Sequence, residues 1–159
     1  VADPDDDALE LLRTRSGLSI DAEGRFLHRG EPITHRRTLE VLHRSLRLRE
    51  DGRYEVAIGR ERGYVEVVDA PYTVRGVELD PPGGAPTLRL SDGSAEPLDP
   101  ATLVLGADGA LRCRVKGGYR ARFTRAGQVT LGLALEEDPP GSGHFILCVN
   151  GDRFHIPRE

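Results

Sequence analysis

The sequence predicts an α+β fold, mainly antiparallel β, in which one hairpin-helix-hairpin unit is duplicated. Three observations predict it. Short apolar runs alternate with polar residues and are broken by glycine-bearing turns, as hairpins with one wet face require. One stretch, residues 35–48, has helical periodicity instead. And Ile20-Asp-Ala-Glu-Gly-Arg-Phe26 can be laid on Leu105-Gly-Ala-Asp-Gly-Ala-Leu111, 85 residues on, with the alanine, the acid and the turn glycine in register.

Taken in order, residues 7–13 suit a short helix, with Asp7 as cap, Glu10 three residues later, and Leu9 and Leu12 on one face. Residues 18–20, the turn Asp21-Ala22-Glu23-Gly24 and residues 25–28 read as strand, tight turn, strand, because Gly24 supplies the positive φ such turns need. Thr34 can cap a helix over 35–48, with Leu39, Leu42 and Leu46 as the buried stripe and Arg36, Arg37, Glu40, Arg44 and Arg47 outside it. Asp51-Gly52 ends it. Residues 53–58 and 64–68 alternate around the turn 59–63 as a second hairpin. Residues 72–79, 87–90, 103–105 and 111–115 are β-type runs between Pro81-Pro82-Gly83-Gly84, Asp92-Gly93 and Asp108-Gly109. These connections are too short for crossover helices, so antiparallel pairing is expected. After Pro139-Pro140-Gly141, residues 144–149 turn at Asn150-Gly151 into 153–156, and Asn-Gly is the strongest two-residue hairpin signal.

Residues 122–137 pull in two directions. Val129, Leu131, Leu133 and Leu135 alternate like a strand, and Gly127 and Gly132 each weaken a helix by ~1 kcal/mol. The repeat asks for a helix near 122–135. Beyond the first match, Tyr54 meets Phe145 at an offset of 91 and Tyr64 meets Phe154 at 90. Several turns in consistent places constrain more than one alternating tetrad, so the expectation follows the repeat. The chain then divides into an acidic N-terminal segment, 1–16, a first copy with extra strands, 17–101, and a second copy, 102–159.

Composition narrows the function classes. A chain of 159 residues, 38% of them hydrophobic, buries roughly 70% of its unfolded surface and needs neither disulfide nor structural metal to fold. No apolar run approaches the ~18 residues of a membrane helix. Residues 1–12 carry five acids and no base where a signal peptide would be basic, so a cytoplasmic place without membrane contact is expected. His28, His35 and His43 are seven and eight apart, His144 and His155 eleven, and there is no His-x-x-x-His or Cys-x-x-Cys, so no metal is expected. Cys113 and Cys148 fall in strands, where reduced, buried thiols are expected. With no Gly-x-Ser-x-Gly elbow and no Walker loop, neither catalysis nor a cofactor has support. A long nucleic acid is disfavoured by the acidic start and by having four Tyr and four Phe for stacking.

The charge is patterned all the same. Residues 111–125 carry Arg112, Arg114, Lys116, Arg120, Arg122 and Arg125 without an acid, whereas 69–108 hold seven acids and only Arg75 and Arg89. On a strand, Arg112, Arg114 and Lys116 share one face and Leu111, Cys113 and Val115 the other. Gly117-Gly118 lets backbone amides approach an anion, and phosphate is the natural guest. The bland alternative is a solvated strand face, the usual use of a charge run. Asp69-Ala70-Pro71-Tyr72 likewise either sets a carboxylate and a phenol at the mouth of a groove, with Asp69 accepting a ribose hydroxyl or base amide, or is a corner kinked by Pro71.

The order Arg29-Gly-Glu-Pro-Ile33, a helix, and Glu61 leading into Val65-Glu-Val-Val-Asp-Ala-Pro-Tyr72 resembles the bacterial family called domain of unknown function 1285, DUF1285. Gly118-Tyr-Arg-Ala-Arg-Phe-Thr-Arg125 and the terminal hairpin are similar to that family's second half. The resemblance spans residues 17–157. It departs where family members carry Thr-Pro before the acid at 61 and a second acid before Asp69; here Ile58-Gly59 and Val68 stand. The resemblance implies a duplicated α+β fold whose second half resembles a pleckstrin-homology-like barrel, an unassigned role, and a nucleotide-like ligand between the halves. Joined to the acid-free stretch, it makes the expected function a non-enzymatic module, suited to signalling, that holds a small anion through Arg122, Arg125, Arg114, Asp69, Tyr72 and Arg29. The alternative is a protein-interaction module that docks a partner by strand edges or by the helix at 35–48.

Overall fold

Asp21 closes the first turn with its side chain: its Oδ1 accepts the N–H of Glu23 at 3.0 Å and of Arg25 at 2.8 Å. The strands on either side, β1 (Leu18–Ile20) and β2 (Phe26–His28), therefore pair antiparallel. Arg29 and Gly30, both at positive φ, turn the chain into β3 (Glu31–Pro32). Then follow helix α1 (Arg36–Arg44) and β4 (Leu46–Leu48), β5 (Tyr54–Ile58) and β6 (Glu61–Val67). The six strands form one sheet in the order β3-β2-β1-β6-β5-β4. This computed structural model describes residues 17–159, so the helix expected at 7–13 and the acidic segment lie outside the described residues.

The chain divides into two compact units between Pro71 and Tyr72. In the second unit, β7 (Tyr72–Glu78), β8 (Thr87–Leu90) and β9 (Ala95–Pro97) come first, then a 3-10 turn at Pro100–Thr102. They are followed by β10 (Val104–Leu105), β11 (Leu111–Val115), β12 (Tyr119–Phe123) and helix α2 (Arg125–Gly132). The chain ends in β13 (Leu135–Glu137), β14 (Phe145–Val149) and β15 (Asp152–His155). One sheet runs β10-β11-β12-β7-β8-β9 and a smaller one β13-β14-β15. The strands between the two copies thus extend the sheet of the second. Most pairings are antiparallel as expected, but β1 lies parallel to β6 and β7 parallel to β12, because a whole run of elements separates each pair in sequence. Among the described residues no sheet closes into a barrel, and no helix is long and apolar enough to cross a membrane.

The duplication is written in the register. Ile20 faces Phe26 as Leu105 faces Leu111; Leu46 faces Val56 as Leu135 faces Leu147; Glu55 faces Tyr64 as Ile146 faces His155. The parallel contact of β1 recurs as well: Val68 N–H donates to Ile20 O, and Glu159 N–H to Leu105 O, both at 3.0 Å. Each copy is three strands, a helix and three strands. The last strands match at 91, so Tyr64 corresponds to His155 rather than to Phe154, a one-residue slip that exchanges the two faces of a strand.

Both helices follow the repeat, and both are shorter than their sequence patterns. His35, not Thr34, caps α1, accepting Thr38 N–H on Nδ1 at 3.3 Å, and Thr124 caps α2 by accepting Gly127 N–H at 3.1 Å. α1 stops at Arg44, and Leu46 is buried from β4 rather than from the helix; the buried helical residues are Thr38, Val41, Leu42 and His43. In the disputed segment Leu131 is fully buried while Val129 and Leu133 are 64% and 80% exposed, so the alternation is accidental and the helix takes 125–132. Each large aliphatic side chain buried in this way stabilises its unit by about 1.5–3 kcal/mol.

Candidate functional site

The basic stretch forms the hairpin β11–β12. Its first two rungs, Arg112 opposite Arg122 and Cys113 opposite Ala121, match the whole of the β2–β3 hairpin; two further rungs, Arg114 opposite Arg120 and Val115 opposite Tyr119, have no counterpart there. Arg114, Lys116 and Arg120 therefore sit on an extension peculiar to the second copy.

Acids outside the stretch itself meet most of these cations. Asp108 takes both Nη1 and Nη2 of Arg112, at 3.0 and 2.9 Å, and lies 3.4 Å from Arg122. Glu159 receives Arg120 Nη2 on both oxygens at 2.8 and 3.0 Å. Lys116 leaves the strand at positive φ; its Nζ is 2.6 Å from Asp92, and its N–H donates to Glu96 at 3.0 Å. Arg114 donates to Gly118 O. Arg112, Arg114 and Lys116 consequently do not form one solvated face: Arg112 is buried, at 7% exposure, and Arg114 is exposed. Hydrogen bonds from Arg112 and then from Ala110 N–H hold the Asp108 carboxyl well below the usual carboxylate range. Burial works the other way at Asp92, yet Lys116 and Ser94 outweigh it and the carboxyl is lowered.

Two of the expected residues do come together. Arg122 and Arg125 line one open cleft of about 340 Å³, with Asp108, Phe123, Gln128 and Val129. It lies at the N-terminus of α2, whose first turn holds no acid, and a helix start favours negative charge. Arg125 meets no carboxylate at ion-pair distance among the described residues. Arg114 stands one strand away. Tyr72 is buried, edge-on to Tyr119 at 5.7 Å, with Lys116 Nζ 5.5 Å from its ring, so it is a core residue of β7. Asp69, half-buried in the bend after β6, and Arg29, exposed at the β2–β3 turn, belong to the first unit.

Sequence reasoning missed Asp108 and Gln128. Asp108 reads as the companion of a turn glycine, although its place four residues before Arg112 was a usable signal. Gln128 spends its amide on the backbone, accepting Leu111 N–H and donating to Gly109 O, both at 2.8 Å. Of the thiols, Cys113 is buried and pushed up to about 12, chiefly by desolvation. Cys148 is exposed, contrary to expectation, because it takes the solvent side of β14. Among the described residues no three His, Cys, Asp or Glu side chains gather as metal ligands would.

No family model and no curated protein matches the chain. Two solved structures do. A DUF1285 family protein from Silicibacter pomeroyi DSS-3 aligns with a TM-score of 0.70 at 23% identity, over 87% of this chain and 78% of its own. A DUF1285 family protein from Shewanella baltica OS155 aligns with a TM-score of 0.62 at 20% identity, over 73% of this chain and 90% of its own. The chain has the fold of these DUF1285 proteins, the family that its residues resemble.

Proposed function

We propose that the second unit is a non-enzymatic binding module for a small phosphate-bearing anion, nucleotide-like ligands included, held at the start of α2. The observation that carries this reading is that Arg122 and Arg125 line one cleft beside a helix N-terminus free of acids. Asp108 on the same rim is matched by Arg112 through two hydrogen bonds and lies 3.4 Å from Arg122, so three guanidinium groups, with Arg125, outweigh one carboxylate around the cleft. Guanidinium groups suit phosphate because they donate in pairs. Calorimetric titration with pyrophosphate, AMP and ATP at low salt should give saturable binding that Arg125→Ala weakens about tenfold, the value of one charge-assisted contact. Flat titrations across the anions would overturn it.

One observation favours the protein-docking alternative: Val129 on α2 and Leu133 at its C-terminal cap are 64% and 80% exposed. On that reading a captured protein is lost from Leu133→Ser but retained by Arg125→Ala.

A further inference from the structure

In the first copy, the rings of Phe26 and His43 meet edge to face, centroids 4.7 Å apart, both nearly fully buried. The second copy lacks this pair. Its register puts Leu111 at the place of Phe26. Counting from the two helix caps, His35 and Thr124, puts Gly132 at the place of His43. An isobutyl group and a hydrogen replace two rings, and the space stays open. A half-open pocket of about 270 Å³ lies there, lined by Leu105, Leu111, Leu135, Phe145 and Ile156 together with the exposed Gly132 and Arg158. A Cβ built on Gly132 would meet nothing within 4 Å.

The polar groups around the cavity are unequal. Gln128, a wall shared with the Arg122–Arg125 cleft, has both ends of its amide committed to backbone. Glu137 accepts Gly143 N–H at 2.7 Å. Arg158 donates one Nη2 hydrogen bond to Gly143 O at 2.5 Å and meets no carboxylate at ion-pair distance among the described residues. Its counterpart in the first copy is Val67, so the cation is new to the second copy, as the void is. An apolar chamber with one available guanidinium is the chemistry that recognises an apolar acid.

We propose that this cavity binds a small amphipathic monocarboxylate, its apolar body among the leucines and Phe145 and its carboxylate on Arg158. At roughly 30 Å³ for each non-hydrogen atom, the share of a water molecule in the liquid, about nine such atoms fit, with the carboxylate reaching Arg158. The site is separate from the anion cleft and stands or falls without it.

The probe is octanoate, with octan-1-ol as its uncharged counterpart, titrated into the whole chain by calorimetry and followed by NMR shifts of the Leu111 and Ile156 methyls. Octanoate should bind saturably with one site. Arg158→Gln should weaken octanoate about tenfold, as loss of a charged hydrogen-bond donor does, and leave octan-1-ol unchanged. Leu111→Phe with Gly132→Leu, which refills the pocket, should abolish both while the circular dichroism spectrum persists. Should that double variant fail to fold, Gly132→Ala, which adds one methyl to the open space, must still weaken octanoate. Absence of saturation at millimolar octanoate, binding that survives refilling, or equal octanoate affinity in Arg158→Gln would each overturn the proposal.

Discussion

Asp108 supplies the carboxylate for a guanidinium that the strand buries beside the carbonyl of Ala110. Arg112 can be buried there because Gly106 leaves room: a Cβ at 106 would run into Arg112 Nη1. In the first copy the corresponding residue is Asp21, whose own carboxylate occupies that turn. A nearly buried cation without its partner is strongly unfavourable, so Asp108→Asn should destabilise the second unit. The pH dependence follows from the direction of the shift. The folded carboxyl titrates below its unfolded value of about 3.9, so its contribution is complete above that value and is lost as pH falls further. Urea midpoints at pH 6 and pH 3 should therefore fall more steeply in the native chain than in Asp108→Asn; parallel slopes would contradict the pairing. Alternation along β11 set Arg112 on the solvent face, and nothing in a period of two reveals a gap left by a glycine six residues earlier.

At the level of elements, α2 shows how a pattern can mislead. Four apolar residues at every second position describe a strand, yet only Leu131 of the first three is buried. Leu131→Ala should cost about 2–5 kcal/mol, whereas Leu133→Ala should stay within about 0.5 kcal/mol, measured by urea unfolding. A strand would have charged both alike. Gly127, which argues against a helix by propensity, is required by packing: a Cβ there would lie 2.7 Å from Val74 O, and the same carbonyl accepts the N–H and the hydroxyl of Thr124. That contact with β7 is absent from any local reading. The turn signals were better guides. Asn150 and Gly151 both adopt positive φ between β14 and β15, as an Asn-Gly hairpin requires. Helix ends were the weak point, because Leu46 continues the apolar period of Leu39 and Leu42 although Ser45 already ends α1.

Across the whole molecule, the repeat was legible from one turn and one aromatic pair, Tyr54 with Phe145, while the match of Tyr64 to Phe154 was one residue out of register; the strand pairing extends the repeat through both copies. What sequence could not supply were the parallel partners, β1 with β6 and β7 with β12, since long-range neighbours leave no local period. Nor could it show that Arg122 and Arg125 share a cleft while Lys116, Arg112 and Arg120 are answered by Asp92, Asp108 and Glu159. Every strand pairing stays on one side of the junction at Pro71 and Tyr72. Residues 72–159 expressed alone should accordingly unfold in one cooperative thermal transition with a mixed α and β far-ultraviolet spectrum; a featureless coil would show that its sheets need the rest of the chain. The two β-ribbons of unequal length carry a practical corollary. The tip at Arg29 and Gly30 marks a place where the twin ribbon already tolerates added chain, so a short epitope spliced there gives a handle for immobilising the protein with all its ladders intact.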